Sequence, residues 1–316
     1  MGDVIALQPL VWSLCEAGHE VVAYVRPAWF PALRPHRNLT CRAASPAWAQ
    51  PGASGKIWRF VRDLRAFARS LAGDARGARG IDVRGDVRSV LALWLAGCAS
   101  VETLDRYYVA NDCRVVRGAA VRHRVNHGQL RWRLNFVFAP GLPSAPPTLA
   151  HLLPSGAVTE KGRVGLVPLT PWIGKQWFPE RWRAVVSGLR SRGLSPVLLC
   201  GPGEAERCRA AAGMEASAQP CDVVECSSVV DWAAALARCE RVVTVNTGPV
   251  HVACAVGRPV VLLEGSGRLP LWAPADPRSV VVEHQRDCPC APCHQIGSCN
   301  RNCMAAITVD EVLAAV

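Results

Sequence analysis

One stretch, residues 241–263, RVVTVNTGPVHVACAVGRPVVLL, limits what this chain can fold into more than any other. β-Branched Val242, Val243 and Val245 predict a strand, Asn246-Thr247-Gly248-Pro249 a sharp polar turn, the next residues a short helix, and Pro259 opens a second apolar strand. At the turn, Thr247 and Gly248 let backbone N–H groups approach a ligand, and Pro249 suits the first turn of a helix. His251 projects from that first turn, where the helix dipole favours an anion. Two readings stay open on these residues: a site for a phosphate-bearing ligand, or an ordinary strand–helix turn whose histidine caps its own helix.

The same alternation fills the second half. Residues 163–167 read as a strand, PLTPWIGKQW as a loop, Pro179 as the start of a helix that Gly193 stops, PVLLCG as a strand and GPGEAERCRAAAG as a turn and helix. Ser228 with Asp231 three residues on resembles a capping box before the next helix. Short apolar strands alternating with helices predict a parallel sheet covered on both faces, with ligands bound outside the carboxyl ends of its strands. Three polar loops would meet there, carrying Thr170 and Lys175, then Glu204 and Glu206, then Thr247, Gly248 and His251. A lysine and a helix N-terminus suit a diphosphate, and a carboxylate can accept from ribose hydroxyls. Neither GxGxxG with an acid some 20 residues on nor GxxxxGK[ST] occurs, which disfavours a dinucleotide dehydrogenase or a P-loop enzyme.

The first half is rougher. VIALQPLVWSLCEAG predicts a helix ending at Gly18, VVAYV a strand at 21–25, and residues 28–33 a further helical turn. Residues 57–72 place Ile57, Val61, Leu64, Phe67 and Leu71 on one helical face and Arg59, Arg62, Arg65 and Arg69 largely on the other. That pattern fits a packed helix with a wet basic face, and also a helix lying on an anionic membrane surface. A short strand from Ile81, a Gly85-Asp86 turn and a helix stopping at Gly97 follow, and a helix is expected to end near Phe138. PGLPSAPP at 140–147 breaks all periodicity and is the expected linker, dividing the chain into domains at 1–147 and 148–316.

Two domains suit 316 residues of which half are hydrophobic. The net charge of +11 is uneven: residues 1–150 hold 20 Lys/Arg against 10 Asp/Glu, the remainder 16 against 15. The basic half can meet nucleic acid, anionic lipid head groups or a phosphorylated substrate, or simply carry solvated arginines. No apolar run approaches the ~18 residues of a membrane span, and no basic segment precedes an apolar one at the start, so a cytosolic protein is expected. Most of the 15 cysteines are scattered singly in apolar surroundings, as reduced core thiols are.

Gly2-Asp3 before an apolar stretch with Pro9, DVRGDVRS at 82–89, Lys175-Gln176-Trp177-Phe178-Pro179, Gly201-Pro202-Gly203-Glu204 and NTGPVHVACAVGRP at 246–259 together resemble glycosyltransferase family 9, the bacterial lipopolysaccharide heptosyltransferases. The resemblance spans the chain and is more specific in its second half. It implies an α/β fold of GT-B type, two Rossmann-like domains facing across a cleft, the N-terminal one receiving the acceptor and the C-terminal one a nucleotide sugar, typically ADP-heptose. It implies an inverting transfer with Asp3 as general base and no metal needed for catalysis. Lys175, Thr170 and the Thr247-Gly248 helix start would hold the diphosphate, with Asn246 and His251 nearby and Glu204 on the ribose. The acceptor would be a phosphorylated glycolipid at the inner membrane face, giving the basic half a purpose; nucleic acid is not an expected partner. The sequence departs from the family in showing no first strand before Gly2-Asp3, in Asn246 where the family often has Asp, and in Pro171 after Thr170. These departures keep a nucleotide-sugar-binding paralogue with a regulatory role in view.

CPCAPCHQIGSCNRNC packs five thiols, Cys288, Cys290, Cys293, Cys299 and Cys303, into 16 residues. Cys290, Cys293, Cys299 and Cys303 can close a structural zinc or iron site; reduced thiols and a disulfide are the alternatives. ITVDEVLAAV reads as a closing helix.

Overall fold

A computed structural model describes residues 1–44, 46, 57–105, 120–126, 128–215, 221–267, 269–286, 288 and 302–316. The chain forms two compact units, one made of residues 1–9, 31–34 and 145–316 and the other of 10–30 and 35–144.

The chain opens with helix α1 (Gly2–Glu16), which runs through Pro9, so Gly2 and Asp3 stand in a helical first turn. In the unit of 10–30 and 35–144, β1 (Val21–Val25) pairs in parallel with β2 (Leu39–Ala43). After α2 (Ile57–Ala75), β3 (Arg79–Asp82), α3 (Val87–Leu95), β4 (Ser100–Asp105) and β5 (Val121–Arg124) build a second parallel sheet in the order β3-β4-β5. Asp86 caps α3, its side chain accepting from the Arg88 N–H, as the Gly85-Asp86 turn predicted. On α2, Leu64, Ala68 and Leu71 are buried against Ala92 and Ala96, while Arg59, Arg62, Arg65 and Arg69 face solvent. The amphipathic pattern is therefore a packed helix with a wet basic face. The helix expected to end near Phe138 is a single turn, α4 (Arg131–Leu134), continued as 3-10 helix to Phe138.

The other unit carries a six-stranded, wholly parallel sheet. Its elements are β6 (Arg163–Val167), α5 (Pro179–Ser191), β7 (Ser195–Cys200), α6 (Ala205–Ala211), β8 (Val223–Glu225), α7 (Val229–Ala237), β9 (Arg241–Val245), α8 (Gly248–Ala255), β10 (Val260–Glu264), α9 (Leu269–Trp272), β11 (Val280–Glu283), α10 (Asn302–Ala306) and α11 (Val309–Ala315). The strand order is β11-β10-β9-β6-β7-β8. β6, β9 and β10 lie inside it and are buried almost end to end, which is why their sequences read as unbroken apolar runs. The Ser228–Asp231 capping box forms in both directions at the start of α7, and Thr308–Glu311 repeats it at α11.

The core on one face of this sheet joins Leu166, Leu198, Val243 and Leu263 to Trp182, Val185 and Leu189 of α5 and to Val312 and Leu313 of α11. Gly188 lets α11 approach α5: a Cβ there would stand 2.5 Å from Leu313 Cδ1. Leu166 is fully buried on β6. Leu166→Ala should cost about 2–5 kcal/mol, read as a lower urea midpoint at unchanged m-value.

Candidate functional site

Parallel pairing carries the ends of β6, β9 and β10 to one edge of the sheet. β6 leads through Thr170, which is buried, into a 3-10 turn ending at Lys175. The Thr170 hydroxyl accepts from the Trp172 N–H at 3.3 Å and its carbonyl from Gln176 Nε2 at 3.2 Å, so the residue shapes this loop. Lys175 Nζ donates to the main-chain carbonyl of Asn246 at 3.3 Å, linking the loop after β6 to the turn after β9.

That turn has the form its sequence predicted. Thr247 is the extended residue before α8, and its hydroxyl donates to the Val245 carbonyl at 3.3 Å rather than capping the helix. The backbone N–H groups at the start of α8 thus have no side-chain cap from Thr247, the arrangement that suits an anion. Met1 lies over Gly248, where a Cβ would come within 3.1 Å of Met1 Cβ. Gly2 lies against His251: a Cβ on Gly2 would stand 2.7 Å from His251 Cδ2. Asp3 is in the same first turn of α1, near enough for its charge to act on the imidazole. The other side of the ring meets Trp272, centroids 5.4 Å apart.

Glu204 lies in the turn after β7, the parallel neighbour of β6. Its carboxylate accepts from the Gly201 N–H at 3.2 Å and pairs with Arg207 at 2.8 Å. Glu225, at the end of β8, accepts from the N–H groups of Gly203 and Ala205 and so fixes the same turn.

The residue that the sequence did not single out is Glu264, the last of β10, fully buried at 0% exposure. Its carboxylate accepts from the Asn246 side-chain amide and, at 3.0 Å, from the Gly267 N–H. A single charge ending the apolar run VVLLE was its only signal. Close by, the Ser266 hydroxyl is buried without a hydrogen-bond partner among the described residues. The loop is anchored by Ser266 N–H to the Gly174 carbonyl at 3.2 Å and by Gln285 Nε2 to the carbonyls of Gly265 and Gly267.

Of the cysteines expected to bind metal, Cys290, Cys293 and Cys299 lie outside the described residues. Cys303 is buried in the apolar cluster beside Met304 and Ile307, with Cys288 in the same cluster. Among the described residues no group of three or more His, Cys, Asp or Glu could hold a metal ion.

Two groups here titrate far from their ordinary ranges, in opposite senses. Burial lowers His251 to about 4, Asp3 opposing the shift while the chain's amino group and Lys175 add to it. Burial raises Glu264 to about 7 against the pull of Lys175 and its hydrogen bonds. Below the ordinary histidine value of 6.5, unfolding lets His251 take up a proton, so its contribution to stability rises with pH between about 4 and 6.5. Glu264 keeps its proton in the fold but loses it on unfolding above 4.5, so its contribution falls as pH rises from 4.5 to about 7. The two slopes oppose each other between 4.5 and 6.5. His251→Gln should make the urea midpoint fall with rising pH across this window relative to the parent, and Glu264→Gln should make it rise.

Comparison with known proteins agrees with this architecture. Residues 143–303 match the model of glycosyltransferase family 9 (heptosyltransferase). The chain is 36% identical over 275 residues to lipopolysaccharide heptosyltransferase 1 of Pseudomonas aeruginosa, covering 84% of this chain and 74% of that protein. Its fold resembles a family 9 glycosyltransferase of Veillonella parvula (TM-score 0.74, 16% identity, 99% and 92% of the two chains). It also resembles an E. coli heptosyltransferase solved with ADP (TM-score 0.70, 21% identity, 98% and 94%). With its two α/β units of GT-B type and the TGPxH turn at the head of α8, the chain belongs to glycosyltransferase family 9 and is a glycosyltransferase.

Proposed function

We propose that the chain transfers a heptose, with inversion, from ADP-heptose to a lipopolysaccharide core acceptor. One observation carries the reading most: Lys175 Nζ reaches the Asn246 carbonyl immediately before α8, whose first turn bears His251 with Asp3 near it. A fixed cation, a helix N-terminus and a carboxylate are what such a displacement uses. Lys175 and the backbone N–H groups at Thr247-Gly248 take the diphosphate, with Thr170 and Asn246 shaping the loops around it. Glu204 serves the ribose, which requires that it exchange its contact with Arg207 for sugar hydroxyls. Names of relatives support the donor: the P. aeruginosa enzyme is a lipopolysaccharide heptosyltransferase, and E. coli structures of this fold were solved with ADP and with a fluorinated ADP-heptose.

In the reaction an acceptor hydroxyl attacks the anomeric carbon, its proton passes to the Asp3 carboxylate, and the bond to the diphosphate oxygen breaks. The negative charge growing on ADP is met by Lys175 and the α8 dipole. His251, held neutral by burial, can donate a hydrogen bond to a phosphate oxygen without needing protonation. The acceptor we infer is a phosphorylated glycolipid at a membrane face, met by the arginine-rich first half, from a protein in which no described helix is long and apolar enough to cross the bilayer. The Cys290, Cys293, Cys299 and Cys303 segment is proposed as structural, for zinc or iron, with no step of the transfer passing through it.

The deciding experiment is transfer from ADP-heptose to a heptose-deficient lipopolysaccharide. Asp3→Asn should lower the rate by about 10²–10⁴-fold, the usual range for a general base, with ADP affinity kept. Lys175→Ala should weaken ADP binding. A parent chain that binds ADP yet transfers nothing would instead be a nucleotide-sugar-binding protein without catalysis.

A further inference from the structure

Glu264 is a fully buried carboxylate that the proposed transfer does not use. It is tied to the transfer machinery through one residue, Asn246, whose main-chain carbonyl faces Lys175 and whose side-chain amide faces Glu264. Lys175 Nζ donates to the Asn246 carbonyl at 3.3 Å, and the Asn246 side-chain amide donates to the Glu264 carboxylate. The Gly267 N–H completes the cradle at 3.0 Å, and a Cβ at Gly267 would stand 2.1 Å from Glu264 Oε1. The backbone can approach this closely only because residue 267 is glycine.

We propose that Glu264 is the positioning residue of the donor site, its buried carboxylate supplying, through Asn246, the negative charge that holds the Lys175 ammonium at the head of α8. The inference rests on reading that turn as the diphosphate site. A buried lysine without a counter-charge sheds its proton, and a neutral amine is a poor partner for a diphosphate. Burial does depress Lys175, and the Glu264 charge opposes that depression. Asn246 is matched to this role: its amide donates to the carboxylate, whereas an aspartate there would set two like charges against each other. The charge that serves the turn after β9 thus comes from the neighbouring strand, with the carboxylate and amide exchangeable as a pair. Charged groups facing Glu264 are Lys175 from the loop after β6 and Glu283 from β11.

The test exploits the scarcity of lysine, present only at Lys56, Lys161 and Lys175. In the full chain labelled on lysine, with the resonance assigned by Lys175→Arg, NMR follows the Lys175 ammonium as a function of pH. Glu264→Gln, nearly isosteric, should lower its midpoint by about one pH unit, equivalent to a tenfold change in proton affinity, and should raise the Kd for ADP about tenfold. Adding Asn246→Asp to Glu264→Gln returns the carboxylate from the other side of the same hydrogen bond and should restore both values. A purely structural Glu264 predicts no such rescue. An unchanged Lys175 midpoint in folded Glu264→Gln overturns the proposal, as does failure of the double variant to recover. Should Glu264→Gln not fold, the unmutated protein still decides: its Lys175 signal must show a step as Glu264 loses its proton around neutral pH, and a flat signal there overturns the idea. A parent that binds no ADP would sink the donor reading, while the NMR titration would still judge Glu264 separately.

Discussion

Parallel pairing of β9 between β6 and β10, with Val164 opposite Arg241 and Leu263 opposite Val245, is the constraint on which the site depends. It brings Lys175, Asn246 and Glu264 within reach of one another although 89 residues separate the first from the last. The polar groups of the candidate site stand at or beyond the strand ends, Glu264 being the last residue of β10. Each is buried almost throughout, and the chemistry begins where the apolar run stops. Rigid strands hold the loop bases, and the loops supply the polar groups.

Placing a lysine and a glutamate at such a buried edge is costly, and the structure offsets the cost by hydrogen bonding rather than by solvent. The Glu264 carboxylate has an amide and a main-chain N–H; the Lys175 ammonium has a carbonyl. In water such contacts would contribute little, but a site of low dielectric strengthens each of them and penalises any left unmade. The same burial keeps His251 neutral, so the candidate anion site pairs a lysine whose charge burial disfavours and Glu264 supports with a neutral donor from histidine.

The six-stranded unit was largely legible because its inner strands are covered on both faces and its helices carry explicit start signals: Pro179 opens α5, Ser228 with Asp231 frames α7, and Pro249 follows the N-cap of α8. The strands left unread were β2, β4, β5, β8 and β11. β8 has three residues and β2 is mostly exposed, so each owes its conformation to a neighbour's ladder, which no local pattern announces. At the candidate site, Lys175, the Asn246–Gly248 turn and His251 could be singled out from turn chemistry. Glu264 could not, since a charge at the end of VVLLE looks like a strand emerging into water until the packing shows it fully enclosed.

Gly267 adds a consequence for how such a site can change over time. A side chain there would collide both with Glu264 Oε1, at 2.1 Å, and with Asn246 Nδ2, at 2.8 Å. The three positions therefore form one inheritance unit. A lineage that moved the carboxylate onto residue 246 would release residue 264 to become apolar, while residue 267 would still be crowded by residue 246; acquiring the second acid before losing the first passes through a mischarged intermediate. Divergence at this edge should therefore proceed by correlated replacement of residues 246 and 264 around an unchanged glycine at 267.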